Sequence, residues 1–417
     1  MENKRYDKQL RAMLTILEDD YAGSALAKEP VDSRYYIQSA GMAWKQGALD
    51  ALTFLRFGSQ MLATTKDRSL RLALTAPDYA PWRAGFDARR ISDSLYVTAV
   101  QEDDRLRPGD RIRRLNILSP DAHRAQFQKN FLYADAPERE MWGNVLKMTK
   151  HMLVEHADGQ QEDLPVRRFA GPRPACAPSV RDVQPGVLLL TVGDIGDGEA
   201  LSALVSRHQS ELDRARRLII DLRATHDGEE GDFLPLTPYI LREKKTLSEA
   251  AGLQTLCSLY TEENCCRRIG ILSPYAGNPE ADALIAGLER LRGAGWVEET
   301  VDLWADLPEA VAPRGGETAL LVDTFCEGAA ESFALLAKKE GRAKLLGRPT
   351  MGTLDYANLI SVLLSDEMTF TYPMSITKAA RDGHGFRNRG VQPDVVLPFT
   401  PEDCAHDPIL ARACNPF

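Results

Sequence analysis

Three candidate side chains are of types that can attack a carbonyl carbon or accept the attacking group's proton. Cys326 and Ser332 are of the nucleophile type, and His226 is of the base type. A thiol or hydroxyl becomes strongly nucleophilic only beside a base, so Cys326 with His226 could form a dyad, with Ser332 a second candidate. Each residue also has a commoner role, because such a cysteine is usually buried, a loop histidine solvated and a serine in a first helical turn bonded to backbone.

The carboxylates around Cys326 offer two weaker possibilities. Glu327 and Glu331 could act as an acid and base pair, or could join Asp323 in a metal site. Carboxylates near a helix amino terminus are, however, favoured by the helix dipole without any catalytic role. Because no His, Cys, Asp and Glu cluster has the spacing of metal ligands, the sequence predicts no metal and no cofactor.

The elements that would carry these residues form an alternating α/β pattern. Buried apolar runs that resemble strands alternate with helical patterns, which predicts βαβ connections and a parallel-rich central sheet. The runs and helical patterns lie at 186–192, 198–214, 216–223, 231–243, 318–325 and 328–340. Asp221 and Arg223 fall at the carboxyl end of one predicted strand, where α/β sheets place their sites.

The first 170 residues have two other patterns. Apolar residues recur every three or four positions over 5–75, which predicts a helical segment over 1–80. From about Pro81 the period changes towards two, so a small β-rich domain is expected over 84–170. Three prolines and one glycine within 169–178 predict a linker without regular structure, and the α/β core then occupies 171–417.

The composition and charge of the chain limit the kinds of partner that it can bind. A formal net charge of −9 with no basic and aromatic cluster argues against nucleic acid. The charged amino terminus is unlike a secretory signal, and no apolar run approaches eighteen residues, so we expect a cytoplasmic protein without a membrane partner. The seven cysteines have no paired CxxC spacing, which predicts reduced thiols. The oligomeric state stays open.

Four stretches, in the same order, resemble the C-terminal-processing (tail-specific) serine peptidases. They are LYVTAV with LRPGDRIRRLN (95–116), RRLIIDLRATHDGEEGD (216–232), the stretch 319–358 and GVQPDVVLP (390–398). The resemblance implies a PDZ-type domain at 84–170, which binds a peptide terminus by strand addition, and a ClpP/crotonase-like core. The expected partner is then a peptide or protein tail.

The same resemblance assigns the catalytic positions. In that family the nucleophilic serine lies three residues before a glutamate, here Glu331, so Gly328 occupies the nucleophile position. The lysine base of one subgroup aligns with Thr353, and the histidine base of another aligns with Ser69. Glycine has no side chain to form an acyl intermediate, and neither hydroxyl accepts a proton near neutral pH.

The loop that helps to form the oxyanion hole in those enzymes is acidic here. Asp227, Glu229 and Glu230 would oppose a developing negative charge. We therefore predict a pseudo-peptidase that binds a tail without cleaving it, and the alternative is an active serine-type or relocated Cys/His endopeptidase. The predicted binding residues are Asp227, Gly228, Glu229, Glu230, Gly231 and Glu331.

Overall fold

The computed structural model has a mixed α/β fold with several sheets, as predicted. It describes residues 3–27, 31–47, 49–75, 82–127, 140–146, 149–171, 175–195, 198–225 and 228–416. The chain forms two compact units. The first unit comprises Met1–Tyr79, Leu253–Val301 and Asp355–Gly385, and the second comprises Ala80–Gly252, Asp302–Leu354 and Phe386–Phe417. The division into three consecutive domains stays a prediction.

Three α-helices fill most of the predicted helical segment: Asn3–Thr15, Ser33–Lys45 and Ala51–Ala63. Short π and 3-10 helices, Ile16–Asp20 and Ala22–Leu26, follow the first of them. The carboxylates of Asp32 and Asp50 cap the second and third helices by accepting backbone hydrogen bonds three residues ahead. The segment is not wholly helical, because Arg71–Leu74 is a strand.

That strand belongs to a five-stranded antiparallel sheet in the first unit. The other strands are Gln254–Tyr260, Gly295–Val301, Tyr356–Ser365 and Met368–Thr377. Three further helices are Glu262–Leu272, Pro279–Leu291 and Lys378–Arg381. Leu10, Met13 and Phe54 of the amino-terminal helices share one core with Phe370 and Tyr372 of the sheet. Contacts between residues far apart in the chain therefore hold this unit together.

In the second unit, a smaller antiparallel sheet lies within the predicted β-rich segment. Its strands, in spatial order, are Phe86–Ile91, Ser94–Val100, Arg111–Leu115, His151–Glu155 and Gln161–Pro165. Helices Pro120–Phe127 and Trp142–Leu146 accompany it. The prediction of a linker without regular structure over 169–178 is wrong at its start, because Phe169–Ala170 pairs with Trp82–Arg83.

A six-stranded sheet positions the candidate site. In spatial order its strands are Val395–Val396, Lys344–Gly347, Glu317–Val322, Arg217–Asp221, Val187–Thr191 and Ser179–Gln184. Neighbouring strands are parallel except for the last pair, which is antiparallel. Because side chains alternate along a strand, Leu320 and Val322 face one core while Ala319 and Leu321 face another.

Helices cover both of these faces. Residues of Gly198–Arg214 and Ala329–Glu340 join the core of Leu320, and Ile409 and Ala413 of Pro408–Ala413 join the core of Leu321. A short helix, Leu247–Ala251, and a 3-10 helix, Pro401–Cys404, complete the unit. No helix within the described residues is both long and apolar enough to cross a membrane.

The helix predicted near 231–243 differs in type and extent. It is a 3-10 helix over Glu230–Tyr239 that contains Pro235 and Pro238. Proline has no amide hydrogen and its ring clashes with the carbonyl four residues earlier, so a regular α-helix is unfavourable here. The apolar pattern identified the buried segment but not this constraint.

Candidate active site

Gly328 lies at the amino-terminal end of the helix Ala329–Glu340, hereafter the site helix, after the strand Glu317–Val322. Its φ of 58° and ψ of −126° belong to a region that glycine adopts far more readily than other residues. Gly328 is exposed, and a Cβ built on it would meet no atom of the described residues within 4 Å. The predicted nucleophile position is thus an open backbone turn without a side chain.

Glu331 holds a second turn, Thr350–Thr353, hereafter the site turn. Its fully buried carboxylate accepts hydrogen bonds from the Thr350 hydroxyl, from Gly352 N at 2.5 Å, and from Thr353 N and Oγ1 at 2.7 and 2.6 Å. Burial raises the pKa of Glu331, although these hydrogen bonds act in the opposite direction. The carboxylate therefore stabilises the site turn. Its role in peptide binding stays a prediction.

Thr353, at the predicted position of the lysine base, links these two features. Its Oγ1 donates to Glu331 and accepts a hydrogen bond of 3.0 Å from Gly328 N. The backbone N–H of Gly328, at the predicted nucleophile position, is thus already bonded within the chain. Since a threonine hydroxyl is not a base at neutral pH, this side chain organises the turn and cannot activate a nucleophile.

Cys326 is in a poor environment for attack. Its side chain is fully buried, and burial, followed by the nearby charges of Glu331 and Asp323, raises the pKa of the thiol well above its usual value. Because the thiolate is the reactive form, a thiol held protonated is unreactive. The proposed partner, His226, lies outside the described residues.

Ser332 connects the site helix with the acidic loop. Its Oγ donates to Glu230 Oε1 at 3.2 Å, so the loop lies against the first turn of the helix. Glu229 is exposed, and its backbone N donates to Asp232 Oδ2 at 2.8 Å. Of the other predicted binding residues, Gly228 and Gly231 belong to the described part of this loop, and Asp227 falls outside it.

Ser69, at the predicted position of the histidine base, belongs to the first unit. It is buried, and both its N and its Oγ donate to Asp67 Oδ1, at 2.7 and 2.6 Å. The hydroxyl of Tyr21 donates to the other oxygen of Asp67 at 2.7 Å. Ser69 therefore takes part in a buried hydrogen-bonded cluster.

Asp323, at the end of the central strand, belongs to a charged network that the sequence did not reveal. Arg89 Nη1 lies 2.8 Å from Asp323 Oδ1, and Arg348 lies 3.3 Å from the other oxygen and 2.5 Å from Asp403. Burial alone would raise the pKa of Asp323, but Arg89 and Arg348 hold it well below its usual value. A carboxylate shared by two arginines is a poor metal ligand, and the described residues contain no cluster able to hold a metal ion.

The chain is similar to one protein family and to several proteins of known structure. Residues 196–397 match the model of peptidase family S41. Crystal structures of mature CPAF and of a CPAF mutant match with 13% and 12% identity and TM-scores of 0.61 and 0.63, each over 99% of this chain and 96% of the other. Mature CPAF complexed with lactacystin has 14% identity and a TM-score of 0.59, over 99% of this chain and 97% of the other.

At such identities these structures establish the fold alone. No curated protein matches the chain in sequence. The family match spans the acidic loop, Gly328, Glu331 and the site turn. Over residues 196–397, this chain is therefore similar to peptidase family S41.

Proposed function

We propose that this protein binds a peptide or protein tail in the cleft of a peptidase fold and does not cleave it. The observation that carries the proposal is Gly328, an exposed glycine at the position where the family resemblance expects the nucleophilic serine. A covalent acyl intermediate needs a side-chain oxygen or sulfur, and glycine supplies neither.

The neighbouring side chains also argue against another nucleophile or base that would replace the missing catalytic residues. The Cys326 thiol is buried with a raised pKa, and the Ser332 hydroxyl bonds to a carboxylate of the acidic loop. Thr353 stands where a lysine base would be, and its hydroxyl is bonded on both sides. The amide of Gly328 is one of these partners, so it is not free to stabilise an oxyanion.

Further parts of the proposal concern the binding surface. The small antiparallel sheet over 84–170 would act as the PDZ-type domain, and its edge strand Phe86–Ile91 is a place where an extended peptide could add. The six-stranded sheet would form the ClpP/crotonase-like core. We also propose a cytoplasmic location for the protein.

The acidic loop predicts which peptides bind. Replacing Asp227, Glu229 and Glu230 with serine should remove a preference for basic or amino-terminal peptide groups, weakening their binding by about 1.4- to fivefold for each ion pair lost, since exposed ion pairs contribute about 0.2–1 kcal/mol each. The preference should shrink with added salt, because screening acts over about 8 Å at physiological ionic strength. The measurement is a titration with labelled basic and acidic peptides at low and high salt. Mass spectrometry of each peptide afterwards shows whether it has stayed intact.

A matched control removes the same number of charges elsewhere. Asp306, Glu309 and Glu402 are exposed acids of the second unit, and replacing them with serine should leave the peptide preference unchanged. Equal affinity for both peptide sets, unaffected by the loop replacement, would mean that the loop is only solvated surface. Binding of no peptide, or loss of intact peptide mass, would defeat the proposed function.

A further inference from the structure

A pocket lies behind the site turn, between the outer face of the site helix and the segment 386–392. Leu335 and Lys338, three residues apart on the helix, form one wall. Phe386 and residues 389–392 form the other, and the cavity measures about 310 Å³. This volume is at the lower end of the range for small-molecule sites, so an occupant would be smaller than most drug-like ligands.

The wall formed by 386–392 is fixed by contacts with the site turn. Gly390 has a φ of 63°, and a Cβ built on it would lie 2.0 Å from Thr350 O, so only glycine fits at this close approach. Val391 N donates to Thr350 Oγ1 at 2.7 Å, and the Lys338 ammonium donates to Gln392 O. These contacts fix one wall of the pocket, which lowers the entropic cost of binding.

The lining combines an apolar floor with two cationic side chains. Leu335, Phe386 and Val391 supply the floor, and all three pack against or within the core of the unit. Lys338 and Arg389 supply the charges, and none of the described residues that line the cavity is acidic. Asp394 lies outside the lining, with its Oδ1 3.5 Å from the Lys338 ammonium.

We propose that this pocket binds a small amphipathic carboxylate, whose alkyl part lies on Leu335, Phe386 and Val391 and whose carboxylate meets Lys338 and Arg389. Apolar contact would supply most of the affinity, and the two cations would select a carboxylate over an alcohol or an amine. This site is separate from the proposed peptide cleft and does not depend on whether peptides bind.

Octanoate, octan-1-ol and octylammonium are suitable probes because they share one alkyl chain and differ in the polar group. Calorimetric titration of the full chain should give binding of octanoate at least about tenfold tighter than that of the other two. Lys338→Gln and Arg389→Gln, separately and together, should weaken octanoate and leave octan-1-ol unchanged. Leu335→Trp, which fills the pocket, should weaken both.

Lys339→Gln is the matched control, because Lys339 is the next residue on the helix, bonds to Ala251 O and does not line the pocket. It should leave octanoate binding unchanged. Equal binding of octanoate and octan-1-ol, absence of octanoate binding, or equal effects of the Lys338 and Lys339 substitutions would each overturn the proposal. Lys338→Gln removes both a positive charge and the bond to Gln392 O. Arg389→Gln removes a positive charge and leaves that bond in place, so it tests the role of charge separately.

Discussion

Glu331→Ala should lower the free energy of unfolding by at least about 3 kcal/mol. The buried carboxylate accepts four hydrogen bonds from the site turn, and its removal leaves those donors without a partner. A buried donor left unsatisfied costs about 1–3 kcal/mol, and the four losses will not add fully because they share one turn. Urea unfolding followed by tryptophan fluorescence measures the effect.

Glu327→Ala is the matched control, since Glu327 precedes the same helix and is only half-buried. Its removal should change the free energy of unfolding by less than about 0.5 kcal/mol. Glu331→Gln should fall between the two, because an amide retains one acceptor oxygen but brings two donors of its own. Equal losses for Glu327→Ala and Glu331→Ala would contradict the assigned role of Glu331.

Asp323→Asn should cost about 3–5 kcal/mol at pH 7, because it leaves Arg89 and Arg348 beside a neutral group in a buried network. The pKa of Asp323 is lowered in the folded protein, so its stabilisation is fully present above the unfolded value of about 3.9 and is lost as the pH falls towards the folded value. The difference between wild type and variant should therefore shrink below about pH 4.

Urea unfolding of both proteins at a series of pH values tests this expectation. The control is Asp306→Asn, at an exposed acid of the same unit, which should cost less than about 0.5 kcal/mol at every pH. A small cost at pH 7, or a difference that grows on acidification, would show that Asp323 does not stabilise the protein through its charge.

Local patterns in the sequence predicted local elements well. The helix over 198–214 is confirmed with those bounds, and the apolar runs at 186–192, 216–223 and 318–325 each contain a strand. In these segments the buried face, the helix period and the flanking polar residues agree with one another, and such agreement makes an element predictable from sequence.

Long-range assembly could not be predicted in the same way. The apolar face of the amino-terminal helices indicates burial, but nothing in it identifies Phe370 and Tyr372 as its partners. The pairing of Phe169–Ala170 with Trp82–Arg83 was missed for the same reason, because strand partners depend on tertiary contacts.

In the candidate site, too, the local features could be predicted from the sequence and the long-range contacts could not. Gly328 was expected to begin a helix after a buried strand, and it lies at that point of the chain. The bonds of Glu331 to the site turn and the contact of Thr353 with Gly328 N join segments about 20 to 25 residues apart. No local pattern signals them, although the shared resemblance of both segments to one family placed them in a common site.

Incubation of the folded chain with a fluorophosphonate probe, followed by intact-mass analysis, tests whether the protein has a reactive nucleophile. An active serine hydrolase in a parallel tube shows that the probe reacts. Because Gly328 carries no nucleophile and Cys326 and Ser332 are buried or bonded, we predict an unchanged mass for this chain. A mass increment of one probe, mapped by digestion to Ser332, Cys326 or any other single residue, would show a reactive nucleophile, contradict the proposed loss of covalent catalysis and revive the peptidase alternative at that residue.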